Sequence, residues 1–292
     1  MSEKVIKSYK GFDKNMQCRG FQYEVGKEYE MDGEIKCCNR GFHACKYPLE
    51  VWDYYDMLNS RFAEVEQSGK IDEEEKSTKV CSSHIKIKAE LKLADIINIG
   101  VEWLKDITSP SEVKEDGALS DNGDRKKQIG SSGDSAKIGS SGYSAQIGSS
   151  GDYAKIGSSG YSAKIGSSGY SAQIGSSGDY AKIGSSGDSA KIGSSGDSAK
   201  IGSSGDSAKI GSSGDYAKID STGEDSVIMC AGNKSKAKAK IGSWITLAEW
   251  KWSDEKKRDV PVCVKTEYVD GENIKADTFY QLRNGKFVEV SE

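Results

Sequence analysis

The unit Ile-Gly-Ser-Ser-Gly-Asp-Ser-Ala-Lys, at residues 183–191 and again at 192–200, decides the fold. Isoleucine recurs every nine residues, at Ile129, Ile138, Ile147, Ile156, Ile165, Ile174, Ile183, Ile192, Ile201, Ile210, Ile219 and Ile228. A period this short signals a stacked solenoid rather than a globular core. One Ile and one Ala per unit cannot bury themselves. Coils stacked on each other can line those side chains up in a dry column. In a strand, Ala136 and Ile138 point to one side and Lys137 to the other. Gly-Ser-Ser-Gly suits a tight corner, because Gly tolerates positive φ and Ser bonds the local backbone.

Nine residues supply one short strand and one corner, so two units close a coil of eighteen. The predicted fold class is mainly β. It is a parallel β-helix or β-solenoid, with odd repeats in one sheet and even repeats in the facing one. Six coils at about 4.8 Å per strand make a rod about 29 Å long. Eighteen-residue steps stack Gln128, Gln146, Lys164, Lys182, Lys200 and Lys218 on one face, and Lys137, Lys155, Gln173, Lys191 and Lys209 on the other. A bare lysine ladder repels itself, and the corner residues Asp134, Asp152, Asp179, Asp188, Asp197, Asp206 and Asp215 are expected to offset it. Tyrosine breaks the monotony. Tyr143 and Tyr161 are expected to stack in one corner column, with Tyr170 in the opposite one. Tyr153, Tyr180 and Tyr216 are expected to flank the lysine columns. These rings either stiffen the sheet surface, where Tyr is at home, or form an interface. The expected partner-binding residues are Tyr143, Tyr153, Tyr161, Tyr170, Tyr180, Lys155, Lys164 and Lys182.

The flanks read differently. Residues 1–110 read as an α+β domain, with strand character at 5–9, 21–25, 61–66 and 79–81 and the clearest alternation at 84–91. A helix is expected at 48–55, with Pro48 in its first turn, and an amphipathic one at 95–104. The acidic run at 72–76 reads as a solvated loop. Residues 111–128 form a linker or degenerate first coil, and 129–243 the nonapeptide solenoid. The four lysines at 234–240 fit a last, irregular coil, with four residues inserted before Ile241. Residues 244–292 form a C-terminal antiparallel β cap, whose hairpin turns at Asn284-Gly285.

Of 292 residues, 41 are Lys or Arg and 45 Asp or Glu, a net charge of −4 that calls for neither nucleic acid nor an anionic membrane. No apolar run is long enough to span a bilayer, and residues 1–7 lack the apolar segment of a secretory signal. Seven cysteines, an odd number, fit reduced thiols in a cytosol. The nonapeptide departs from calcium-binding β-rolls, because Tyr replaces Asp at 143, 161 and 170 and each Asp has a Lys three residues on. Cys18, Cys37, Cys38, His43 and Cys45 are the residue types of a zinc site but lack a Cys-x-x-Cys pair, so buried thiols are the simpler reading. A Cys45–His43 nucleophile pair would share a strand face, yet no orienting carboxylate is identifiable. No phosphate loop or nucleophile elbow is present.

Residues 10–13 (Lys-Gly-Phe-Asp), 18–26 (Cys-Arg-Gly-Phe-Gln-Tyr-Glu-Val-Gly), 40–45 (Arg-Gly-Phe-His-Ala-Cys), 48–51 and 61–66 resemble an uncharacterised domain family of phage and prophage proteins. The resemblance covers residues 5–105. It implies short-period repeats after the domain, no catalytic assignment, and a phage-like context in which such proteins bind and disable host machinery. The expected function is therefore non-enzymatic, with no cofactor. The protein would inhibit a host protein or protein complex in the host cytoplasm, as an anti-defence factor of the anti-CRISPR type. Two alternatives remain open: an ice- or surface-binding solenoid, and an enzyme in the N-terminal domain.

Overall fold

The computed structural model describes residues 4–73, 78–107, 118–120 in backbone only, and 128–291. Two compact units emerge, Met1–Gly100 and Val101–Glu292.

The first unit is built on β1 (Ile6–Phe12), β2 (Gln17–Cys18), β3 (Phe21–Gln22), β4 (Glu28–Glu30), β5 (Phe42–Cys45), β6 (Arg61–Glu73) and β7 (Lys79–Leu91). The sheet runs β4-β7-β5-β1-β6, and β6 pairs back onto β7. Four antiparallel strands thus close on themselves, which leaves no edge among them. Sequence periodicity marks the strands but carries no sign of this closure. Register shifts at Glu64/Val65 and Ser68/Ile71 bend the long β6–β7 pair, as bulges do. Inside lie Phe12, Phe42, Val65, Val80, Ile85 and Ile87. Buried Gln67 is satisfied rather than stranded: it accepts from Ser8 Oγ at 2.7 Å and donates to the Phe42 carbonyl at 2.6 Å.

Three expectations shift here. The helix expected at 48–55 is a 3₁₀ turn, Pro48–Asp53, with Pro48, Leu49, Val51 and Trp52 all buried. Four of its six residues are buried and only Glu50 and Asp53 are not, so the piece stays a short tight turn against the core. The acidic run is not all loop, since Asp72 and Glu73 end β6; residues 74–77 lie outside the described residues. The helix α1 (Leu93–Ile107) is longer than the expected 95–104.

The second unit is mainly the solenoid, with about seven coils rather than six. Alternate repeats form two parallel sheets. Ile138, Ile156, Ile174, Ile192 and Ile210 align in one, and Ile129, Ile147, Ile165, Ile183, Ile201 and Ile219 in the other. Both Ile columns and the Ala column are buried. Ala118–Ser120 supplies an opening strand, with Leu119 opposite Ile138.

Stacking explains the second glycine of each unit. A Cβ on Gly187 would come 2.6 Å from the Gly169 carbonyl carbon and 3.1 Å from the Ser168 carbonyl oxygen. The residue before Ala adopts positive φ in most coils, including Ser189 (57°), Ser198 (56°) and Tyr216 (56°). That conformation is unfavourable for a residue with a side chain. It persists because the amide there donates to the carbonyl of the coil above, as from Ser189 to Asp206 at 2.8 Å.

The irregular ending is not an insertion. Ala237 occupies the Ile slot opposite Ile219, and Ile245 pairs with Ile228. Ile241 instead falls at a corner, 57% exposed. Asp220 stands in a Gly slot and pairs with Lys238 at 3.1 Å. The strand Trp244–Ser253 is at once the last parallel strand of one sheet and the first of the antiparallel cap, pairing with Arg258–Tyr268. The hairpin Tyr280–Arg283/Lys286–Glu289 turns at Asn284 and Gly285, both with positive φ. Tyr280 and Leu282 extend the solenoid core into it.

Candidate functional site

Two regions carry chemistry that stacking does not use. The first is the outside of the rod. All five expected tyrosines are exposed, between 38% and 55%. They form two ring ladders. Tyr143 stacks on Tyr161 at 5.0 Å, and Tyr161 meets Tyr180 at 5.1 Å. At the opposite corner Tyr153 meets Tyr170 edge-on at 5.9 Å. The expected pairing of Tyr143 with Tyr161 holds. Tyr153, Tyr180 and Tyr216 do not flank lysine columns, however, because their positive φ places them in the corners themselves.

The three expected lysines separate. Lys155 is exposed, Lys182 is half-buried, and Lys164 is buried at 3% exposure. The two flat faces therefore differ. On one, Lys137, Lys155, Gln173, Lys191 and Lys209 are exposed beside an open furrow at Gly157, Gly175 and Gly193, where an added Cβ would meet nothing within 4 Å. None of those four lysines makes an ion pair among the described residues. The corner aspartates do not neutralise them by direct pairing. Each turns a carboxylate oxygen to the next coil: Asp188 accepts the Asp206 amide at 2.9 Å, and Asp197 accepts that of Asp215 at 2.8 Å. A carboxylate is acceptor-only, and an unpaired corner amide is the nearest donor it can satisfy.

The serine pair splits as well. Ser149, Ser167, Ser185 and Ser203 are buried inside the rod. The second serine of the pair is exposed at Ser159, Ser177 and Ser195.

The second region is a cavity of about 800 Å³ in the first unit. Tyr9, Phe21, Tyr23, Phe42, Tyr54 and Tyr55 supply aromatic walls, and Lys10, Arg19, Arg40 and Lys79 supply cations. Gly11 permits the wall to form: a Cβ there would run into the Tyr55 ring, 3.0 Å from its Cβ. Lys10 projects from β1 on the same side as Phe12. Its ammonium donates to the His43 carbonyl at 2.9 Å and approaches Cys18 Sγ at 3.5 Å. The Phe12 and Tyr23 rings lie 5.6 and 5.4 Å away. Cys18 Sγ is 2.9 Å from Tyr55 Oη. Lys79 sits over the Tyr54 ring at 4.3 Å and approaches Cys38 Sγ at 3.4 Å.

Of the cysteines and histidine singled out in the sequence, Cys18, Cys38, His43 and Cys45 thus meet around one cavity. Among the described residues no three His, Cys, Asp or Glu side chains converge as metal ligands. Cys37 turns away to Asp72, its Sγ donating to that carbonyl at 3.2 Å. His43 Nε2 accepts the Cys38 amide at 3.0 Å. Burial lowers the imidazole's pKa, and its Nε2 is engaged in holding the 37–43 loop. Sequence reasoning passed over Lys10, Arg19, Tyr55 and Lys79. The one usable signal was strand alternation, which places Lys10 on the face of Ser8 and Phe12.

The fold and its sites define a two-part class: a closed antiparallel-sheet domain followed in sequence by a nonapeptide β-solenoid. Residues 6–99 match the family model of a domain of unknown function, DUF7666. No curated protein and no solved structure matches the chain.

Proposed function

We propose that this chain is a non-enzymatic phage or prophage protein that binds and inhibits a host protein complex through its rod. The reading places it in the host cytoplasm as an anti-defence factor, for example an inhibitor of the anti-CRISPR type. The observation that carries it is the pair of exposed ring ladders, Tyr143–Tyr161–Tyr180 and Tyr153–Tyr170, which stacking of the coils does not require. Repeats 183–191, 192–200 and 201–209 stack equally well with Ser or Asp at those positions. Exposed tyrosines bury large area at low entropic cost and dominate many interfaces. The exposed column Lys137, Lys155, Lys191 and Lys209 on one flat face favours a partner with an acidic surface. The phage context comes from the family resemblance of residues 5–105.

The test is affinity capture from bacterial lysate with the full chain. Host subunits are identified by mass spectrometry, and each is then tagged for reciprocal capture. The Tyr143→Ala/Tyr153→Ala/Tyr161→Ala variant is expected to lose the partner while keeping its β-type circular dichroism. Equal reciprocal capture by that variant would remove the corners from the account.

A further inference from the structure

We propose that the cavity of the first unit binds a small anionic aromatic ligand of the nucleoside phosphate class, held between cationic and aromatic walls.

The first argument is the state of Lys10. It is 3% exposed, and an ammonium has three donors. One reaches the His43 carbonyl at 2.9 Å, and a second faces Cys18 Sγ, a weak acceptor, at 3.5 Å. The third has no acceptor among the described residues. A buried ammonium without a carboxylate partner is expensive. An anion delivered to the cavity would supply both the missing charge and the missing acceptor.

The second argument is the balance of the lining. Four cations, Lys10, Arg19, Arg40 and Lys79, face one carboxylate, Asp13. That carboxylate is already committed: Asp13 Oδ1 accepts the Asn15 and Gln17 amides, both at 2.8 Å. The Arg19 guanidinium is exposed at the cavity wall, with no hydrogen bond or ion pair among the described residues. Cationic side chains thus outnumber carboxylates in this lining, in a chain whose net charge is −4.

The third argument is the wall chemistry. A bare phosphate site needs no aromatic rings, yet Tyr9, Phe21, Tyr23, Phe42, Tyr54 and Tyr55 line this one. Phe21 is 44% exposed, the costly side of hydrophobic placement, and makes edge contacts with Tyr23 at 4.8 Å and Tyr29 at 5.3 Å. A planar base between such rings gains stacking, while its phosphate reaches Lys10 and Arg19. The cavity, about 800 Å³, falls within the roughly 300–1,000 Å³ span of small-ligand sites.

The experiment is calorimetric titration of the full chain with four probes: ADP, GMP, adenosine and inorganic phosphate. A nucleotide is expected to bind at least tenfold more tightly than either adenosine or phosphate. Arg19→Ala, on an exposed side chain, is expected to weaken nucleotide binding severalfold without altering the fold. Lys10→Met is expected to abolish it. Location is read by iodoacetamide: bound nucleotide is expected to protect Cys18 and Cys38 and to leave Cys263 unchanged. Failure of both nucleotides to bind would overturn the proposal. So would phosphate binding as tightly as nucleotide, or affinity indifferent to Arg19→Ala with Cys18 left unprotected.

Discussion

The same substitution at two glycines of neighbouring repeats should have opposite consequences. In Gly187→Ala the new Cβ lies 2.6 Å from the Gly169 carbonyl carbon. Carbon pairs normally rest about 3.5–4.0 Å apart, so the two coils must part by about 1 Å. Two hydrogen bonds flank that point: Ser186 to Ser167 and Ser171 to Asp188, both 2.9 Å. Stretched by that amount, neither remains a hydrogen bond. Each is worth about 1 kcal/mol net, with a further ~1–3 kcal/mol where a group is left buried and unpaired. The expected loss is therefore ~2–5 kcal/mol. In Gly193→Ala the new methyl meets nothing within 4 Å, and φ there is not positive. That change should fall within about 0.5 kcal/mol of neutral, with a tilt toward stability from reduced freedom of the unfolded chain. Repeat arrays unfold piecemeal, so the assay is hydrogen exchange on the full chain beside a denaturant melt. Gly187→Ala should lose protection at Ser171 and Ser186, and Gly193→Ala should not. Equal protection and equal midpoints in the two variants would refute the stacking argument.

Two further outcomes follow from corner chemistry. Asp188→Ala removes the acceptor of the Asp206 amide and should cost about 1 kcal/mol, whereas Asp188→Asn keeps an oxygen there and should be nearly silent in the same melt. At the cap, Asp270 accepts from Asn273 Nδ2 at 2.7 Å and from the amides of Glu272, Asn273 and Ile274, which lowers its pKa to about 2. A depressed acid stabilises the fold above its unfolded pKa of about 3.9 and loses that contribution as pH falls through the folded value. Exchange at Ile274 should accelerate as pH drops from about 4 toward 2, after correction for intrinsic rates. Asp270→Asn should flatten that profile, and an unchanged profile would reject the turn as its origin.

The solenoid was legible because its information is local and repeated. Isoleucine spacing gives the period, Ala-Lys-Ile gives the inward and outward faces, and eighteen-residue arithmetic gives the pairing of Lys191 with Lys209. What escaped was decided by backbone conformation. Nothing in the side-chain pattern says that Tyr153 and Tyr180 adopt positive φ and so sit in corners. Nor does charge counting show that Asp188 serves an amide rather than a lysine. The first unit was less legible for a different reason. Its closure depends on β6 returning to β7 across bulges, and its cavity on Lys10, Cys18, His43, Tyr55 and Lys79, which lie as many as 69 residues apart in sequence. Contacts of that range leave no periodic trace.

The repeats also separate structure from use without any second sequence. Ile and Ala line the lumen, and the glycine before the corner lets one coil touch the next. Those positions hardly change from Ile138 to Ile210. Variation is confined to three outward positions, which read Asp or Tyr, Ser or Tyr, and Lys or Gln. Replacing Asp by Tyr at 143, 161 and 170 forfeits a carboxylate that elsewhere satisfies a corner amide, as Asp188 does for Asp206. That loss recurs only in the coils where the rings meet one another. On the reading proposed above, a surface that gives up a stabilising contact three times in one region, and gains adjacent exposed aromatics there, serves a partner rather than stacking. The stretch 143–180 is therefore the part of the rod where a partner should be sought first.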